Sequence, residues 1–570
     1  MTHGWPTSLA GIPTLADRLL SDVVGRLAGS GSDPESTVAA VVEAVAERKG
    51  MPQRFRVDGA PVAADPAVRV AVEAVPAEVI EQWGPWLPGL VREGVLSQTD
   101  RHRRGVYHTP PALVRKLVAA TVSVVAWDDA TEVLDPAVGG GAFLLAAAEQ
   151  LPGDRRSVVA RLAGVDVDPL AVATTRAALA LWAGVEEEVL ERNLWVGDFL
   201  DPELMGDRQF AAVVGNPPFL SQLRRSTVRS SAERRRLADR WPGVGRYVDE
   251  AAAFALAGAD CVAPGGTLTL VQPTSVLAAG DAEPVRERLE RSVPLVALWV
   301  DEERAFSAAV DTVTLIGRRA PAVATVEVGG CAVPRPAPRT WGPLLAAAHG
   351  VPDVGVSSAQ RLGDVATITA GFRQHYYGLV GAVNDDQTGR YRLMTSGLID
   401  PLRSRWGQRC CRFAKQVYQT PTVDPMAVAE EIADWLDAQL VPKVMVASQT
   451  RVIEAVVDDS GVCVPATPVV SVMPSEGVGL WRVAAVLTSP VATALLVGAA
   501  SGTALSPGSV RVSASALTEL PLPEDHESWE AAARLAKDGA VHECGRMMLR
   551  AYGLTDRDDV FRWWWDRNPT

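Results

Sequence analysis

The segment Asn216-Pro217-Pro218-Phe219 carries the residue types most clearly suited to chemistry. It follows the apolar run 210–214, which is typical of a buried strand in a parallel sheet. Two prolines exclude a helix here and predict a stiff, extended loop. The Asn216 side-chain carbonyl and the Pro217 backbone carbonyl can then both face the carboxyl end of that strand, where open α/β sheets bind ligands. Two converging acceptors beside an aromatic ring suit a planar group with an exocyclic amine, and an amino-bearing base is the candidate.

A glycine-rich turn, Asp135-Pro-Ala-Val-Gly-Gly-Gly-Ala-Phe143, lies between a predicted strand and a predicted helix. Glycines at such a turn let the backbone approach a ligand closely. The turn lacks the Lys-Ser/Thr pair of a phosphate-binding loop and does not have the GxGxxG spacing. These differences disfavour ATP and NAD but leave other nucleotide-like ligands open.

Two carboxylates follow at the ends of the next two predicted strands. Asp166, in Gly164-Val-Asp-Val-Asp-Pro169, can accept hydrogen bonds from both hydroxyls of a ribose. Asp198 can accept from the amino group of an adenine while Phe199 packs against the ring. Each aspartate taken singly is as well explained as a helix cap or a turn residue. Their order at successive strand ends favours a nucleoside pocket.

Alternating strands and helices between residues 100 and 320 must position these groups. Short Gly/Pro connections between them predict a parallel, doubly wound sheet. We expect an antiparallel hairpin at its edge, formed by Leu298–Val300 and Thr312–Gly317. The predicted strands are Val133-Leu134, Leu162–Val167, Leu194–Phe199, Phe210–Val214 and Thr267–Gln272, and the predicted helices are Ala142–Gln150, Leu170–Trp182 and about Asp249–Val262.

Composition limits the class of protein. At 570 residues with 48% apolar content, the chain is long enough for several domains with substantial cores. No apolar run has the length of a membrane span, and the first residues do not resemble a signal peptide. Six cysteines without a CxxC pair predict reduced thiols in a cytoplasmic protein and no metal site.

Charge is distributed unevenly along the chain. The net charge of −13 argues against a uniformly basic nucleic-acid-binding surface. Residues 221–246, directly after the Asn216 loop, nevertheless contain eight arginines against two acidic residues, a local excess of +6. Such a run is either a solvated helix face or a flap that contacts phosphates beside the site.

Taken in order, these motifs resemble those of S-adenosylmethionine-dependent DNA adenine-N6 methyltransferases that carry a C-terminal target recognition domain. The motif order is the gamma type, similar to that of the TaqI methyltransferase. The resemblance is strong over about residues 100–320 and weak over 350–525. Val138 and Gly140 stand where the family commonly has Cys and Ser. The matching segments are Gly105–Pro111, Asp135–Phe143, Gly164–Pro169, Gly197–Phe199, Asn216–Phe219, Tyr247–Asp249 with Phe254, Pro264–Gly266 and, in the C-terminal block, Thr369–Arg373 and Leu517–Pro523.

The resemblance implies roles for individual residues. The catalytic set would be Asn216, Pro217, Pro218 and Phe219. Binding of S-adenosylmethionine would involve Tyr107, Thr109, Pro110, Asp135, Ala137, Gly139, Gly141, Phe143, Asp166, Asp198 and Phe199. The flipped base and the DNA would contact Phe306, Arg224, Arg225 and Arg373, although Phe306 is equally well explained as a core residue.

The residue patterns, together with the resemblance, predict a domain architecture. We expect a helical N-terminal extension over 1–95 and a Rossmann-like methyltransferase domain over 96–325. A Pro/Ala/Gly-rich linker over 326–349 would lead to a mixed α+β target recognition domain over 350–525, followed by helices over 526–570.

The expected function is site-specific transfer of a methyl group to the N6 amine of a flipped adenine in double-stranded DNA. The setting would be restriction-modification or phage defence, with partner proteins supplying any nuclease. The tetrapeptide also occurs in methyltransferases that act on RNA base amines and on protein glutamine, so these substrates remain alternatives. A DNA-binding subunit without activity is a further alternative, and the intact Asp135, Asp166, Asp198 and Asn216 argue against it.

Overall fold

The computed structural model describes residues 15–31, 33–51, 53–96, 110–219, 231–244, 248–300, 311–502 and 510–568. The chain divides into two compact units, Met1–Arg339 and Thr340–Thr570. Each has its own buried apolar clusters.

From Leu15 to Val95 the described residues of the first unit form a helical layer, as predicted, with one short β-hairpin between its helices. The Asp33 side chain caps α2 by accepting from Ser36 N at 3.0 Å, and a proline follows at the first helical position. Helix α5 packs against α1, α2 and the later helix Pro169–Ala183. The elements are α1 Leu15–Ser30, α2 Pro34–Arg48, β1 Arg56–Val57, β2 Ala60–Pro61, α3 Pro66–Glu73, α4 Ala77–Trp83 and α5 Leu87–Val95.

A sheet of nine strands, counted over the described residues, forms the centre of the first unit. Its strand order is β11-β10-β8-β9-β7-β6-β3-β4-β5. Strands β7, β6, β3, β4 and β5 run parallel, whereas β9 runs antiparallel to both β7 and β8. The strands are β3 Val133–Asp135, β4 Leu162–Asp166, β5 Leu194–Val196, β6 Phe210–Gly215, β7 Val262–Pro273, β8 Leu295–Val300, β9 Thr312–Arg318, β10 Thr325–Val328 and β11 Cys331–Pro334.

Helices connect these strands. Those that follow β3 and β4 are almost entirely buried, because crossovers between parallel strands cover the faces of the sheet. The α/β class predicted for this region is therefore confirmed. The helices are α6 Pro111–Val124, α7 Ala142–Gln150, α8 Arg155–Val159, α9 Pro169–Ala183, α10 Pro202–Met205, α11 Ser231–Arg240, α12 Glu250–Asp260, α13 Ser275–Ala278 and α14 Glu283–Ser292.

Three details differ from the sequence-based expectations. Strand β5 ends at Val196 because the following Gly197-Asp198 forms a turn, in which Leu200 N donates to Asp198 Oδ1 at 2.9 Å. Strand β7 begins at Val262 and continues through the Pro-Gly-Gly segment expected to be a break, with a shift in pairing against β6. The pair β8 and β9 does not lie at the sheet edge, because β10 pairs in parallel with β8.

The segment 326–349, expected as a linker, contains regular structure. Strand β10 pairs antiparallel with β11, and together they extend the central sheet. Helix α15, Gly342–Ala348, begins just after the division between the units. Proline and glycine in this stretch therefore mark the turns of a hairpin and the start of a helix.

The second unit combines short strands with helices. One four-stranded sheet has the order β12-β24-β20-β22 and another β13-β19-β14-β23. The strands are β12 Ala366–Ala370, β13 Val383–Asp385, β14 Arg392–Met394, β15 Ile399–Asp400, β16 Arg403–Ser404, β17 Cys411–Phe413, β18 Gln416–Tyr418, β19 Pro421–Val423, β20 Lys443–Val446, β21 Gln449–Thr450, β22 Ala455–Asp458, β23 Cys463–Pro465, β24 Val470–Pro474 and β25 Val510–Arg511.

The last residues of this unit are helical, and its earlier helices are short. The Leu517–Pro523 run is structural, since Leu517, Leu520 and Leu522 are buried and the Leu520 carbonyl accepts from Leu362 N at 2.8 Å. The helices are α16 Leu362–Val365, α17 Arg373–Leu379, α18 Ala433–Gln439, α19 Leu480–Leu487, α20 Pro490–Ala500, α21 Ala514–Thr518, α22 His526–Lys537, α23 Val541–Ala551 and α24 Asp558–Trp565.

Across the described ranges no single helix is long and apolar enough to cross a membrane. The helices Leu480–Leu487 and Pro490–Ala500, taken together, have the length and apolar composition of a membrane span, but they are bent by 55° relative to each other. Most of its side chains are buried in the second unit.

Candidate active site

A cavity of about 530 Å³ lies at the carboxyl ends of β3, β4 and β6. Its volume falls within the usual range for small-molecule sites, roughly 300–1,000 Å³. The cavity brings together nine of the sequence-predicted residues: Asp135, Ala137, Gly139, Phe143, Asp166, Asp198, Phe199, Asn216 and Pro218.

The glycine turn forms one wall of this cavity. Gly139 and Gly141 have φ angles of +52° and +84°, a region that residues with a Cβ rarely adopt. Gly141 lies at the start of α7, and its N–H donates to the Val138 carbonyl at 2.7 Å. Gly141 itself does not line the cavity and instead sets the path of the turn.

Asp166 is held by two backbone donors at the end of β4. Gly139 N donates to its Oδ2 and Asp168 N to its Oδ1, each at 2.9 Å. Burial raises the pKa of Asp166, while these hydrogen bonds and the charge of Arg92 oppose that rise. Each carboxylate oxygen keeps a second acceptor site, so the group can receive donors from a ligand in the cavity.

Asp198 and Phe199 lie in the turn after β5. The Asp198 side chain accepts a hydrogen bond from Leu200 N, so Asp198 acts as a turn residue. Asp198 also lines the cavity. The Phe199 ring stacks on that of Phe254, with centroids 5.7 Å apart and planes inclined by 30°. Phe254 comes from α12, so two separate segments supply an aromatic surface.

The Asn216 loop, which follows β6, forms another part of the cavity wall. Asn216 and Pro218 line the cavity, whereas Pro217 is buried and is not part of its wall. Phe219 is 7% exposed and packs in the main apolar core, so stacking of a base on its ring stays a prediction. A Cβ on Gly215 would lie 2.6 Å from Asp135 Oδ1, which explains why glycine precedes Asn216.

Asp135 is the most deeply buried acid at the site, with 1% of its surface exposed. Its Oδ1 accepts from Ala137 N at 3.0 Å. Desolvation raises the pKa of Asp135 to about 8, and the nearby charge of Asp166 adds to the rise. A carboxyl group in this state ionises readily when a cation binds beside it.

The N-terminal helical layer also reaches the cavity, which the sequence-based reasoning missed. Arg92 and Glu93 of α5 line it, and the Arg92 guanidinium bridges to Asp168 at 2.6 Å. The partners of this ion pair are 76 residues apart in the chain, so no local motif could reveal the contact.

Helix α5 approaches the glycine turn through two glycines. A Cβ on Gly89 would lie 2.3 Å from the Gly140 carbonyl oxygen, and a Cβ on Gly140 would lie 2.5 Å from Gly89 Cα. This contact explains the departure at Gly140 from the serine common in the resembling family, because the helix leaves no room for a side chain.

The remaining predicted site residues do not line the cavity or lie outside the described residues. Pro110 precedes α6, and its carbonyl accepts from the first turn of that helix. Arg373 is the exposed first residue of α17 in the second unit. Of the arginine-rich stretch, Arg240 pairs with Asp260 at 3.0 Å and stacks on Trp241. The residues outside the description are Tyr107, Thr109, Arg224, Arg225 and Phe306.

The sequence matches the family described as N-6 DNA Methylase over residues 91–292. The type II methyltransferase M.XamI from Xanthomonas campestris pv. amaranthicola is 30% identical over 118 residues. That match spans 21% of this chain and only 20% of the length of M.XamI.

One solved structure shares the fold over nearly the whole chain. It is the type IIL restriction-modification enzyme MmeI in complex with DNA, with a TM-score of 0.56 and 11% identity. The alignment covers 98% of this chain and 97% of that one. The region that forms the cavity, within residues 91–292, is thus similar in sequence to N-6 DNA methylases.

Proposed function

We propose that this protein transfers a methyl group from S-adenosylmethionine to the N6 amine of an adenine in double-stranded DNA. One observation carries the proposal: a single cavity joins the Asn216 loop to the acidic side chains Asp135, Asp166 and Asp198. The similarity of residues 91–292 to N-6 DNA methylases supports the same reaction.

The chemistry of the cavity wall fits S-adenosylmethionine. Asp166 would accept hydrogen bonds from the ribose hydroxyls. The stacked rings of Phe199 and Phe254 would face the adenine ring beside Asp198. Asp135 would lie near the cationic amino-acid end, where its ionised form is favoured. When bound, this cofactor supplies an electrophilic methyl group on a positively charged sulfur.

Asn216 and Pro217 would prepare the acceptor amine. The exocyclic nitrogen of adenine is a weak nucleophile because its lone pair is delocalised into the ring. Hydrogen bonds from its two N–H groups to the Asn216 side-chain oxygen and the Pro217 carbonyl would draw it toward tetrahedral geometry. The lone pair is then free to attack, and catalysis rests on positioning and electrostatic matching.

The target base must leave the duplex to reach such a cavity. Flipping costs a few kcal/mol, which phosphate contacts and stacking offset. Within this proposal Arg224 and Arg225 contact phosphates, Phe306 and Phe219 stack on the base, and Arg373 reads DNA. Tyr107, Thr109 and Pro110 would border the methionine end of the cofactor.

The finer classification is also proposed. The motif order supports the gamma type of the TaqI methyltransferase, with residues 350–525 as the target recognition domain. The MmeI structure, which shares the fold, is that of a restriction-modification enzyme, and this supports a restriction-modification setting. Within this proposal a partner protein would supply any nuclease. A cytoplasmic location is part of the same proposal.

The test is single-molecule sequencing of DNA from a methylation-deficient host that expresses the chain. We expect N6-methyladenine at one short sequence motif. The matched variant Asn216→Ala should lose the mark completely while it binds S-adenosylhomocysteine with an affinity within about threefold of wild type, since Asn216 would hold the base.

Purified protein separates the alternatives. Labelled S-adenosylmethionine is offered with duplex DNA, with RNA and with a protein extract. Methyl incorporation only into RNA or protein would overturn the DNA assignment and favour the alternative amine or amide substrates. Tight DNA binding without any methyl transfer would instead support the inactive subunit.

A further inference from the structure

We infer that Arg92, from the N-terminal helical layer, is a cofactor-binding residue that donates hydrogen bonds to the ribose oxygens of the methyl donor. This inference rests on the proposed function, because it assigns a further ligand to the same cavity. The segments by which the sequence resembles the family begin at Gly105, after this layer.

Burial and unmatched donors carry the inference. Arg92 is 1% exposed and is one of the residues that line the cavity. One nitrogen, Nη2, donates to Asp168 Oδ2 at 2.6 Å. Within the described part of the chain, Nε and Nη1 have no hydrogen-bond partner. Buried charged donors without acceptors are unfavourable, so their presence at a cavity wall points to acceptors on a ligand.

The neighbours of Arg92 determine which ligand atoms it meets. Asp168 follows Asp166 by two residues at the end of β4, and the charge of Arg92 acts on the Asp166 carboxylate. A ribose hydroxyl donates one hydrogen bond and can accept up to two. A diol that donates to Asp166 would therefore present its oxygens as acceptors to an adjacent guanidinium.

Two contacts fix the position of Arg92 at the cavity. Gly89, one turn earlier in α5, lies directly against the backbone of Gly140, so the helix is at its closest possible approach to the glycine turn. The ion pair with Asp168 then holds the guanidinium at the β4 end of the cavity. The N-terminal layer thus contributes a residue to the cofactor site.

The test is calorimetric binding of two probes to the full chain, S-adenosylhomocysteine and 5′-methylthioadenosine. The second probe keeps the ribose and adenine but lacks the amino-acid end. We expect Arg92→Met to weaken binding of both probes by about 10- to 100-fold, the range for hydrogen bonds from a charged group. Arg92→Lys, which keeps the cation beside Asp168 but lacks the fork of donors, should weaken both by a smaller factor.

Arg115→Met is the matched control. Arg115 pairs with Glu149 at 2.7 Å and lies over the Trp83 and Trp86 rings, but it does not line the cavity. This variant should bind both probes as wild type does. Thermal unfolding without ligand verifies that each variant is folded.

Three outcomes would overturn the inference. Unchanged affinity of folded Arg92→Met for both probes would exclude any contact with the cofactor. Weakened binding of S-adenosylhomocysteine alone would move the contact to the carboxylate of the amino-acid end. Failure of the wild-type chain to bind either probe would overturn the proposed function itself, which the first two outcomes leave intact.

Discussion

Gly89 and Gly140 bring two backbones into direct contact, because a Cβ on either residue would lie within 2.5 Å of an atom of the other. One glycine belongs to helix α5 and the other to the turn that borders the cavity. The N-terminal helical layer and the glycine turn therefore touch without room for a side chain. A side chain added at either position must displace one of the two backbones.

Gly89→Ala should destabilise the first unit and weaken cofactor binding together. The new methyl group would lie 2.3 Å from the Gly140 carbonyl oxygen, and relief requires a shift of backbone rather than of a side chain. We expect a loss of about 1–3 kcal/mol in the free energy of unfolding, the usual cost of overpacking. Urea unfolding and calorimetry with S-adenosylhomocysteine measure the two effects.

Gly25→Ala is the control for this substitution. Gly25 also lies in a helix, α1, but a Cβ there meets no atom within 4 Å. Alanine should leave stability unchanged or raise it by up to about 1 kcal/mol, since it is the better helix former. Equal effects of the two variants would show that helix propensity, not the contact with the turn, governs the result.

Asp135 should make cofactor affinity depend on pH. Its pKa of about 8 in the free protein means that much of the population is protonated at pH 7. A cationic amino-acid end beside it would lower that pKa, so binding should release a proton and become tighter as pH rises from 6 to 8. Calorimetry in two buffers of different ionisation enthalpy counts the released protons, and Asp135→Asn should release fewer.

The same carboxyl group should also affect stability. Burial raises the folded-state pKa of Asp135 above the ordinary value of 3.8. The favourable contribution of Asp135 to the free energy of unfolding is therefore complete below about pH 3.8 and is lost as the pH rises toward 8. Asp135→Asn keeps an acceptor for Ala137 N without this loss. The variant should therefore gain stability relative to wild type between pH 5 and 8. A constant difference across this window would contradict the assignment.

The parts of the site that local sequence patterns could predict are the glycine turn and the residues at the strand ends. The strand–turn–helix pattern at Asp135 and the prolines after Asn216 act within a few residues, so their consequences follow from backbone chemistry alone. The cavity brings both segments together, as the carboxyl ends of parallel strands require.

The parts that could not be predicted depend on contacts distant in sequence. Arg92 meets Asp168 because α5 packs against the helix Pro169–Ala183, and no pattern near Arg92 indicates this contact. Strand β10 likewise joins β8 across a turn region rich in Pro and Ala, so composition favoured a linker. Phe199 was predicted, but its stacking on Phe254 requires α12 to lie beside the turn after β5.

Phe254→Ala should reduce cofactor affinity without abolishing it. The Phe254 ring supports Phe199 at 5.7 Å and lines the cavity, so its loss leaves one aromatic face unsupported. Aromatic pairs contribute about 0.5–1.5 kcal/mol beyond area burial, which corresponds to roughly 2- to 10-fold in affinity. Calorimetry with S-adenosylhomocysteine measures the change. Phe254→Leu, which keeps an apolar side chain, should restore part of it, and an unchanged affinity in both variants would remove Phe254 from the site.

In the second unit, Lys443→Met should be strongly destabilising. The Lys443 ammonium lies 2.8 Å from Asp458 Oδ2, and the two side chains are 0% and 1% exposed. Asp458 also accepts from Cys463 N at 2.8 Å, so it cannot move to water without breaking the adjoining turn. Removing one partner of a buried pair leaves an uncompensated charge and costs about 3–5 kcal/mol.

Arg361→Met provides the comparison, because Arg361 and Glu519 form an ion pair whose side chains are 53% and 45% exposed. Water screens this exposed pair, and its loss should cost no more than about 1 kcal/mol. Urea unfolding followed by tryptophan fluorescence gives both values in the same unit. Equal losses for the two variants would mean that water or a rearranged partner compensates Asp458 when the ammonium is removed.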